Sequence, residues 1–378
     1  MAILNGILYF TDSTVAAGRE LWKTDGTTAN TTLAVDIVPG ATSSIIKNNI
    51  ELLSNGSFLL LNVKTAAEGN ELWRSQGSAA NTFLVKDINA GTLSSNPNKF
   101  SPYTNIILFA ATDAAHGEEI WKTDGTSAGT LLIKDIYPGP DSSTYIPIIS
   151  SGFRLPFPMF FGFHTFNNHL YFMANDGVNG SSIWVTQGSA ANTSLVKVID
   201  TDTLLSSFIL LNAINLPTKF MFPVSNGKDR FELWQSDGTT AGTVLFKSFP
   251  ATINSKIPMI YLNFAYDAAT QQLTSPLYKG NFFFSASGTE GRELWISDGT
   301  LTGTKIVKDI NPGTADGLVR ESYIYTNAGL YFAATDAIHG NELWKTDGTA
   351  AGTSMVQDIN PNANDADPLL YLINNNHH

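Results

Sequence analysis

The chain has 378 residues, no cysteine and a formal net charge of −11. The lack of cysteine excludes disulfides and thiolate zinc sites, and the acidic balance argues against nucleic acids and anionic membrane surfaces, which both attract basic patches. No apolar run is long enough for a transmembrane helix, so no membrane insertion is expected.

Seven tryptophans recur at similar intervals along the chain. Each closes a Glu-Leu-Trp-like triplet and is followed by an Asp-Gly or Gln-Gly turn; they are Trp22, Trp73, Trp121, Trp184, Trp234, Trp295 and Trp344. The spacing of about 54 residues accounts for the whole chain and is typical of propeller blades built from short strands. The sequence therefore predicts one all-β domain over residues 1–378, a seven-bladed β-propeller with four antiparallel strands per blade.

The first predicted strand covers residues 7–10, and a candidate strand at 369–373 ends the chain. These two ends are predicted to be complementary parts of one blade. Pairing of the C-terminal strand with the N-terminal blade would then close the ring and remove exposed sheet edges.

The second repeat illustrates the predicted strands of one blade. Residues 51–53 form a first short strand, and Asn55-Gly56 is expected to turn the chain as a type I′ hairpin into Phe58 and the second strand. The Glu-Leu-Trp strand and a Val-Lys-Asp-Ile strand complete the unit. Leu72 and Trp73 are adjacent, so they are expected to face opposite sides of a strand that lies between two other blades.

The turn after each tryptophan has a recurring pattern. Four residues after the first glycine, only Asn or Gly occurs, at Asn30, Asn81, Gly129, Asn192, Gly242, Gly303 and Gly352. Because these residues enter the left-handed backbone region most easily, positive φ is predicted at all seven positions. The Asp or Gln before the first glycine is expected to bond nearby backbone amides.

The recurring motif resembles the Glu-Leu-Trp-x-x-Asp-Gly-Thr repeat of bacterial proteins. In this chain it reads Glu-Leu-Trp-Lys-Thr-Asp-Gly-Thr, followed by Gly-Thr and Val-Lys-Asp-Ile-x-Pro-Gly. The resemblance covers the whole chain. It implies a bacterial, extracellular or cell-surface repeat protein, and it implies no catalytic residues. The start, Met-Ala-Ile-Leu-Asn-Gly, has no signal-peptide anatomy, so an export signal is expected to lie outside this sequence.

Two intervals between tryptophans are longer than the others, from Trp121 to Trp184 and from Trp234 to Trp295. The second insertion, around 261–278, is predicted to form a polar hairpin. The first contains six phenylalanines within 153–166, which either pad the blades or form a contact with a partner or a second copy. The predicted binding residues are Arg154, Phe157, Phe160, Phe161, Phe163 and His164.

Two recurring groups of polar residues were weighed as metal sites. Asp113 with His116 and Asp336 with His339 lie in equivalent turns, where stabilisation of the turn is favoured over metal binding. The aspartates that precede isoleucine in five repeats are Asp36, Asp87, Asp135, Asp309 and Asp358. They suit solvated or turn-capping side chains or, less favoured, a ring of calcium ligands. No cofactor is therefore expected, with calcium as the minor alternative.

The predicted function is a non-enzymatic extracellular binding, adhesion or structural scaffold of a bacterium. Its expected partners are proteins or glycans at the cell surface, or a second copy of the chain. The main alternative is a multivalent propeller lectin, although each repeated tryptophan is expected to be core. A glycan-active hydrolase is less favoured, since Asp229, Glu232, Asp267 and Glu290 near the insertions suggest no particular catalytic pair.

Overall fold

The computed structural model describes residues 1–46, 51–144, 163–200, 213–225, 231–249, 261–262, 265–267, 272–274, 277–319, 323–361 and 364–370. The chain divides into two compact units, Met1–Leu204 and Leu205–His378. Apart from two three-residue 3-10 turns, the described segments contain strands and irregular connections. No helix among them is long and apolar enough to cross a bilayer.

The first unit contains four blades, each a four-stranded antiparallel sheet in chain order. Blade 1 has β1 (Ala2–Leu4), β2 (Ile7–Thr14), β3 (Gly18–Thr24) and β4 (Thr32–Val35). Blade 2 has β5 (Leu52–Ser54), β6 (Leu59–Thr65), β7 (Gly69–Ser75) and β8 (Thr82–Lys86). Blade 3 has β9 (Asn98–Tyr103), β10 (Ile106–Asp113), β11 (Gly117–Thr123) and β12 (Leu131–Lys134). Blade 4 has β13 (His164–Phe166), β14 (His169–Asn175), β15 (Ser181–Thr186) and β16 (Ser194–Asp200).

The second unit contains three blades and an extra hairpin. Blade 5 has β17 (Ile214–Leu216), β18 (Lys219–Ser225), β19 (Phe231–Ser236) and β20 (Val244–Phe249). Blade 6 has β21 (Tyr261–Leu262), β24 (Phe282–Gly288), β25 (Gly291–Ser297) and β26 (Lys305–Ile306), and the predicted hairpin is confirmed as β22 (Ala265–Asp267) with β23 (Gln272–Thr274). Blade 7 has β27 (Tyr323–Thr326), β28 (Gly329–Asp336), β29 (Gly340–Thr346) and β30 (Ser354–Gln357).

The predicted all-β class with seven four-stranded antiparallel blades is confirmed over the described part of the chain. The repeated tryptophan lies in the third strand of each blade, and the second and third strands form the longest pairings, as in Phe109 opposite Trp121. The sequence repeat and the structural repeat therefore coincide. A single domain over residues 1–378 and the closure of the ring stay predictions.

The N-terminal blade corrects one prediction. Its first strand is Ala2–Leu4, which pairs with Ile7–Tyr9 across Asn5-Gly6, rather than the segment 369–373. Asn5 and Gly6 have φ of 52° and 76°, the pair of positive values that a type I′ hairpin requires. Leu369 lies outside any strand, and residues 371–373 lie outside the described residues. A two-residue hairpin at the very start of the chain thus completes blade 1 locally.

The turn predicted at Asn55-Gly56 is of a different type. Gly56 has a φ of 85°, but Asn55 is not among the residues with positive φ, so the type I′ prediction is wrong there. The Asn55 side chain instead accepts the backbone N–H groups of Ser57 and Phe58 at 3.0 and 2.9 Å. This Asx-type bonding stabilises a longer loop between β5 and β6.

The Asp-Gly-Thr turn also differs from its prediction. Positive φ occurs at the first glycine of all seven turns, for example 85° at Gly125, and at none of the seven Asn or Gly positions four residues later. At Gly129 a Cβ would lie 2.1 Å from Asp124 Oδ1. The glycine at Gly129 leaves room for a carboxylate and does not serve a left-handed backbone; in blade 1 the equivalent Asn30 bonds the Asp25 carboxylate instead. The same close approach recurs at Gly242, Gly303 and Gly352.

The core lies between consecutive blades. Leu72 of β7 belongs to a buried cluster with Ile107 and Phe109 of blade 3, whereas Trp73 packs on the other side against a cluster that includes Ile45. The prediction that Leu and Trp of the triplet face opposite neighbours is confirmed. Four of the seven tryptophans, Trp121, Trp184, Trp234 and Trp344, are no more than 8% exposed.

Candidate functional site: the polar face between blades

A β-bulge beside the tryptophan determines which side chains meet between blades. In blade 2, Leu72 pairs with Lys86 and Trp73 pairs with Leu84, so Val85 is the extra residue of β8. Because opposed residues share a face, Leu72, Val85 and Lys86 all face blade 3, and Asp87 is turned to the tryptophan side. The same shift beside the tryptophan is present in blades 1, 3, 4, 5 and 7.

A lysine from one blade lies over the tryptophan of the next. Lys86 Nζ is 5.8 Å from the centre of the Trp121 ring and donates to the Thr130 carbonyl at 2.8 Å. An ammonium at this distance from an indole face is attracted by the ring quadrupole. Equivalent contacts join Lys134 to Trp184, Lys247 to Trp295 and Lys308 to Trp344. The repeated lysine therefore links neighbouring blades within each unit.

In blades 1, 2, 3, 6 and 7 the glutamate of the triplet is fully buried and holds the connection that follows the last strand of its blade. Glu71 accepts the backbone N–H groups of Ile88 at 2.9 Å and Ser95 at 2.7 Å, and the Ser95 hydroxyl as well. Glu20, Glu119, Glu293 and Glu342 bond the equivalent connections. Burial raises the pKa of Glu119 to about 7 and that of Glu293 to about 8.

Two of the recurring aspartates cap a turn, and all five leave one buried oxygen without a protein partner. Asp87 Oδ2 accepts the Gly91 N–H at 2.9 Å, and Asp309 Oδ2 accepts the Gly313 N–H at 3.4 Å, so turn capping is confirmed at these two positions. The other oxygen, Oδ1, is buried without a hydrogen-bond partner in all five aspartates of the set. The described residues contain no group of three or more His, Asp or Glu side chains placed to hold a metal ion.

The Asp-Gly-Thr turns are held by their own side chains. Asp124 Oδ1 accepts the Thr126 N–H at 2.8 Å and the Thr126 hydroxyl at 2.6 Å. These hydrogen bonds lower the pKa of the Asp124 carboxyl. The same pair of bonds occurs at Asp25, Asp237, Asp298 and Asp347. The predicted bonding of the turn aspartate to nearby amides is confirmed.

The Asp and His residues of the hairpin ends stabilise those ends. Asp113 Oδ1 accepts the N–H groups of Ala115 and His116 at 2.8 Å each, and His116 Nδ1 lies 2.8 Å from Asp113 Oδ2. This bond raises the pKa of His116. Asp336 and His339 repeat the arrangement in blade 7, which confirms the turn-stabilising interpretation.

Some hairpin ends also carry exposed apolar side chains. Between the second and third strands of their blades, Val15 is 97% exposed, Val178 is 84% exposed and Ile338 is 68% exposed. A side chain this exposed contributes little to folding, so these residues are free to contact another molecule.

Of the predicted binding residues, the structure describes two. Phe163 is half-buried, with its ring 5.6 Å from that of Phe172, and packs against the core between blades 3 and 4. His164 begins β13. Arg154, Phe157, Phe160 and Phe161 lie outside the described residues. The described end of the Phe-rich segment is thus anchored in a blade, and its role in binding stays a prediction.

Sequence reasoning missed the roles of the repeated lysine and glutamate. Both residue types were visible in the repeat, but their partners lie in the following connection or in the next blade. A signal was present for the lysine, since it recurs at the same distance after the tryptophan of its own blade, as in Trp73 with Lys86 and Trp121 with Lys134. Nothing local indicated that the glutamate accepts backbone N–H groups about 17 residues later, as Glu71 does from Ile88.

No protein-family model and no curated protein matches the chain by sequence. Among solved structures, the chain is similar to a prolyl endopeptidase (10% identity, 93% of this chain and 48% of that chain, TM-score 0.41). It is also similar to a puromycin hydrolase (11%, 97% and 54%, 0.37) and to prolyl oligopeptidase B from Galerina marginata (11%, 93% and 51%, 0.38). The chain spans about half the length of each of these three proteins.

Proposed function

We propose that this chain is a non-enzymatic binding or adhesion scaffold at the surface of a bacterium. The contacts it makes are assigned to the hairpin ends and to the Phe-rich segment rather than to the repeated motif. The resemblance to the Glu-Leu-Trp-x-x-Asp-Gly-Thr repeat supports an extracellular location. The proposed partner is a protein or glycan of the cell surface, or a second copy of the chain.

The observation that carries this proposal is the separation of two sets of apolar side chains. Four of the seven repeated tryptophans are buried, as for Trp121 at 6% exposure, whereas Val15 and Val178 at hairpin ends of the same unit are almost fully exposed. An exposed apolar side chain gains on the order of 1.5–3 kcal/mol when a partner buries it. The apolar side chains at the hairpin ends are therefore exposed in the folded chain, and their burial by a partner would stabilise a complex.

A multivalent lectin is the alternative function. A sugar site on each repeated tryptophan would need an open indole face for stacking. Lys86 covers the face of Trp121, and Lys308 covers that of Trp344. This arrangement favours sites other than the repeated tryptophans, so glycan recognition by the hairpin ends or the Phe-rich segment remains within the proposal.

The proposal is tested with surface variants of the full chain. Val15→Ser/Val178→Ser/Ile338→Ser and Phe160→Ser/Phe161→Ser are compared with the wild type by sedimentation and by adhesion to cells of the source bacterium. We expect one or both variants to lose self-association or adhesion while the melting temperature stays nearly constant. Ala16→Ser, in the same turn as Val15, is the matched control.

Two results would contradict the proposal. Unchanged adhesion and association in both variants would show that neither the hairpin ends nor the Phe-rich segment forms the contact. A large loss of stability in the second variant would identify its phenylalanines as core. Sugar binding with several ligands per chain that survives both variants would favour the lectin.

A further inference from the structure

Two buried polar atoms without a protein partner recur together in five blades. They are the indole Nε1 of the triplet tryptophan and the Oδ1 of the aspartate that precedes isoleucine: Trp22 with Asp36, Trp73 with Asp87, Trp121 with Asp135, Trp295 with Asp309 and Trp344 with Asp358. A buried donor or acceptor that bonds nothing costs about 1–3 kcal/mol. Ten such atoms at equivalent positions would be a large penalty, so a bonding partner common to the five blades is required.

The strand register places the two atoms on one face of the blade. In blade 3, Ile120 pairs with Lys134, the last residue of β12, so the next residue, Asp135, comes beside Glu119, the residue that precedes Ile120. Trp121 is two residues from Glu119 on the same strand and shares its face. The aspartate and the tryptophan therefore approach the same space from adjacent strands.

Blade 5 shows where the indole N–H points. Trp234 Nε1 donates to Glu232 Oε2, two residues before it, at 2.8 Å. In blade 3 the equivalent carboxylate, Glu119, is already bonded to the Tyr137 N–H and the Ser143 hydroxyl. The remaining acceptor at that level is Asp135 Oδ1, which has no protein donor.

The chemistry of the two atoms restricts what joins them. An indole N–H only donates and an ionised carboxylate only accepts. A metal cation cannot accept from the indole, and an anion is repelled by the carboxylate. A water molecule accepts from one and donates to the other, and it is small enough for an enclosed space.

We propose that blades 1, 2, 3, 6 and 7 each bind one buried water that accepts from the tryptophan Nε1 and donates to the aspartate Oδ1. Blades 4 and 5 lack the aspartate and therefore this bridge, although Trp184 Nε1 of blade 4 is also buried without a protein partner. In blade 4, Val198 stands opposite Ser182 at the aspartate position, and in blade 5, Ser248 stands opposite Glu232, which takes the indole N–H itself. The five aspartates are thereby assigned a water site in addition to turn capping.

A high-resolution crystal structure of the full chain tests the proposal. We expect one density peak at about 2.7–3.2 Å from both Nε1 and Oδ1 in each of the five blades, and no peak bonded to Trp234 Nε1. A direct bond between tryptophan and aspartate, an empty space in most blades, or a peak at the shorter distances of a metal ion, about 2.3–2.6 Å for calcium, would overturn it.

The variant Asp135→Val, which copies the residue of blade 4, provides an internal comparison. The peak at Trp121 should disappear while those at Trp22, Trp73, Trp295 and Trp344 stay in the same crystal. A peak that persists at Trp121 would show that the aspartate does not hold it. The wild-type map decides the proposal even when this variant does not fold.

Discussion

At the residue scale, the Asp-Gly-Thr turn shows how a carboxylate determines the residue type of a neighbour. Asp124 bonds Thr126, and the free space at Gly129 accommodates its carboxylate. Gly129→Ala is expected to lower the free energy of unfolding by about 1–3 kcal/mol, because the new methyl group displaces that carboxylate. Chemical denaturation measures the loss.

The matched comparison is the same substitution in an Asp124→Ala background. There the carboxylate is gone, and the further cost of Gly129→Ala should fall below about 1 kcal/mol. Equal costs in both backgrounds would contradict the steric explanation.

The buried glutamates predict how stability depends on pH. The folded protein holds a proton on Glu119 up to about pH 7 and on Glu293 up to about pH 8, whereas the unfolded chain releases both near pH 4.5. The folded state therefore binds more protons between these values, and the free energy of unfolding falls as pH rises from about 4.5 to 8. Glu119→Gln should reduce this fall by on the order of 2–3 kcal/mol. Urea denaturation across the range provides the measurement, and an unchanged slope in the variant would refute it.

At the element scale, the lysine between blades contributes to docking of one sheet on the next. Lys308 lies 5.6 Å from the Trp344 ring centre and bonds the Thr353 carbonyl at 3.0 Å. Lys308→Met keeps the apolar stem and should cost about 0.5–2 kcal/mol of stability. Lys345→Met, on an exposed position of β29, is the control, with a change within about 0.5 kcal/mol. Equal effects would show that the lysine is not a link between blades.

The first strand of blade 1 is the element that sequence reasoning placed wrongly. Leu4 is 2% exposed in β1, whereas Leu369 is 60% exposed. Leu4→Ala should therefore destabilise the protein by about 2–5 kcal/mol, and Leu369→Ala should change its stability by less than about 0.5 kcal/mol. Thermal melting of both variants tests the assignment, and a reversed order would restore the C-terminal segment as the missing strand.

Periodicity predicted the number of blades, the strand type and the two-sided burial of the Leu-Trp pair, because these follow from local alternation repeated seven times. It did not predict the bulge beside Trp73, because an extra residue in β8 changes which side chains of the strand face the next blade without changing the composition of the strand. The positive φ was assigned to Gly129 instead of Gly125 for a similar reason. A glycine that leaves room for a neighbouring side chain and one required by the backbone look alike in sequence.

At the scale of the whole molecule, the repeated motif acts mainly within and between blades. Its glutamate holds the connection to the next blade, its lysine covers the next tryptophan, and its turn aspartate bonds its own turn. A motif used in this way explains why the chain repeats it with few changes. It also explains why we assign binding to segments that differ from blade to blade, such as the exposed hairpin ends.

The central claim, that the repeated tryptophans are structural, is tested most directly by intrinsic fluorescence of the native protein with acrylamide as the quencher. Trp121, Trp184, Trp234 and Trp344 are at most 8% exposed, so the account predicts blue-shifted emission, weak quenching until the protein unfolds, and no change on addition of glycans. Red-shifted emission that acrylamide quenches readily in the folded protein, or that a sugar protects, would contradict it.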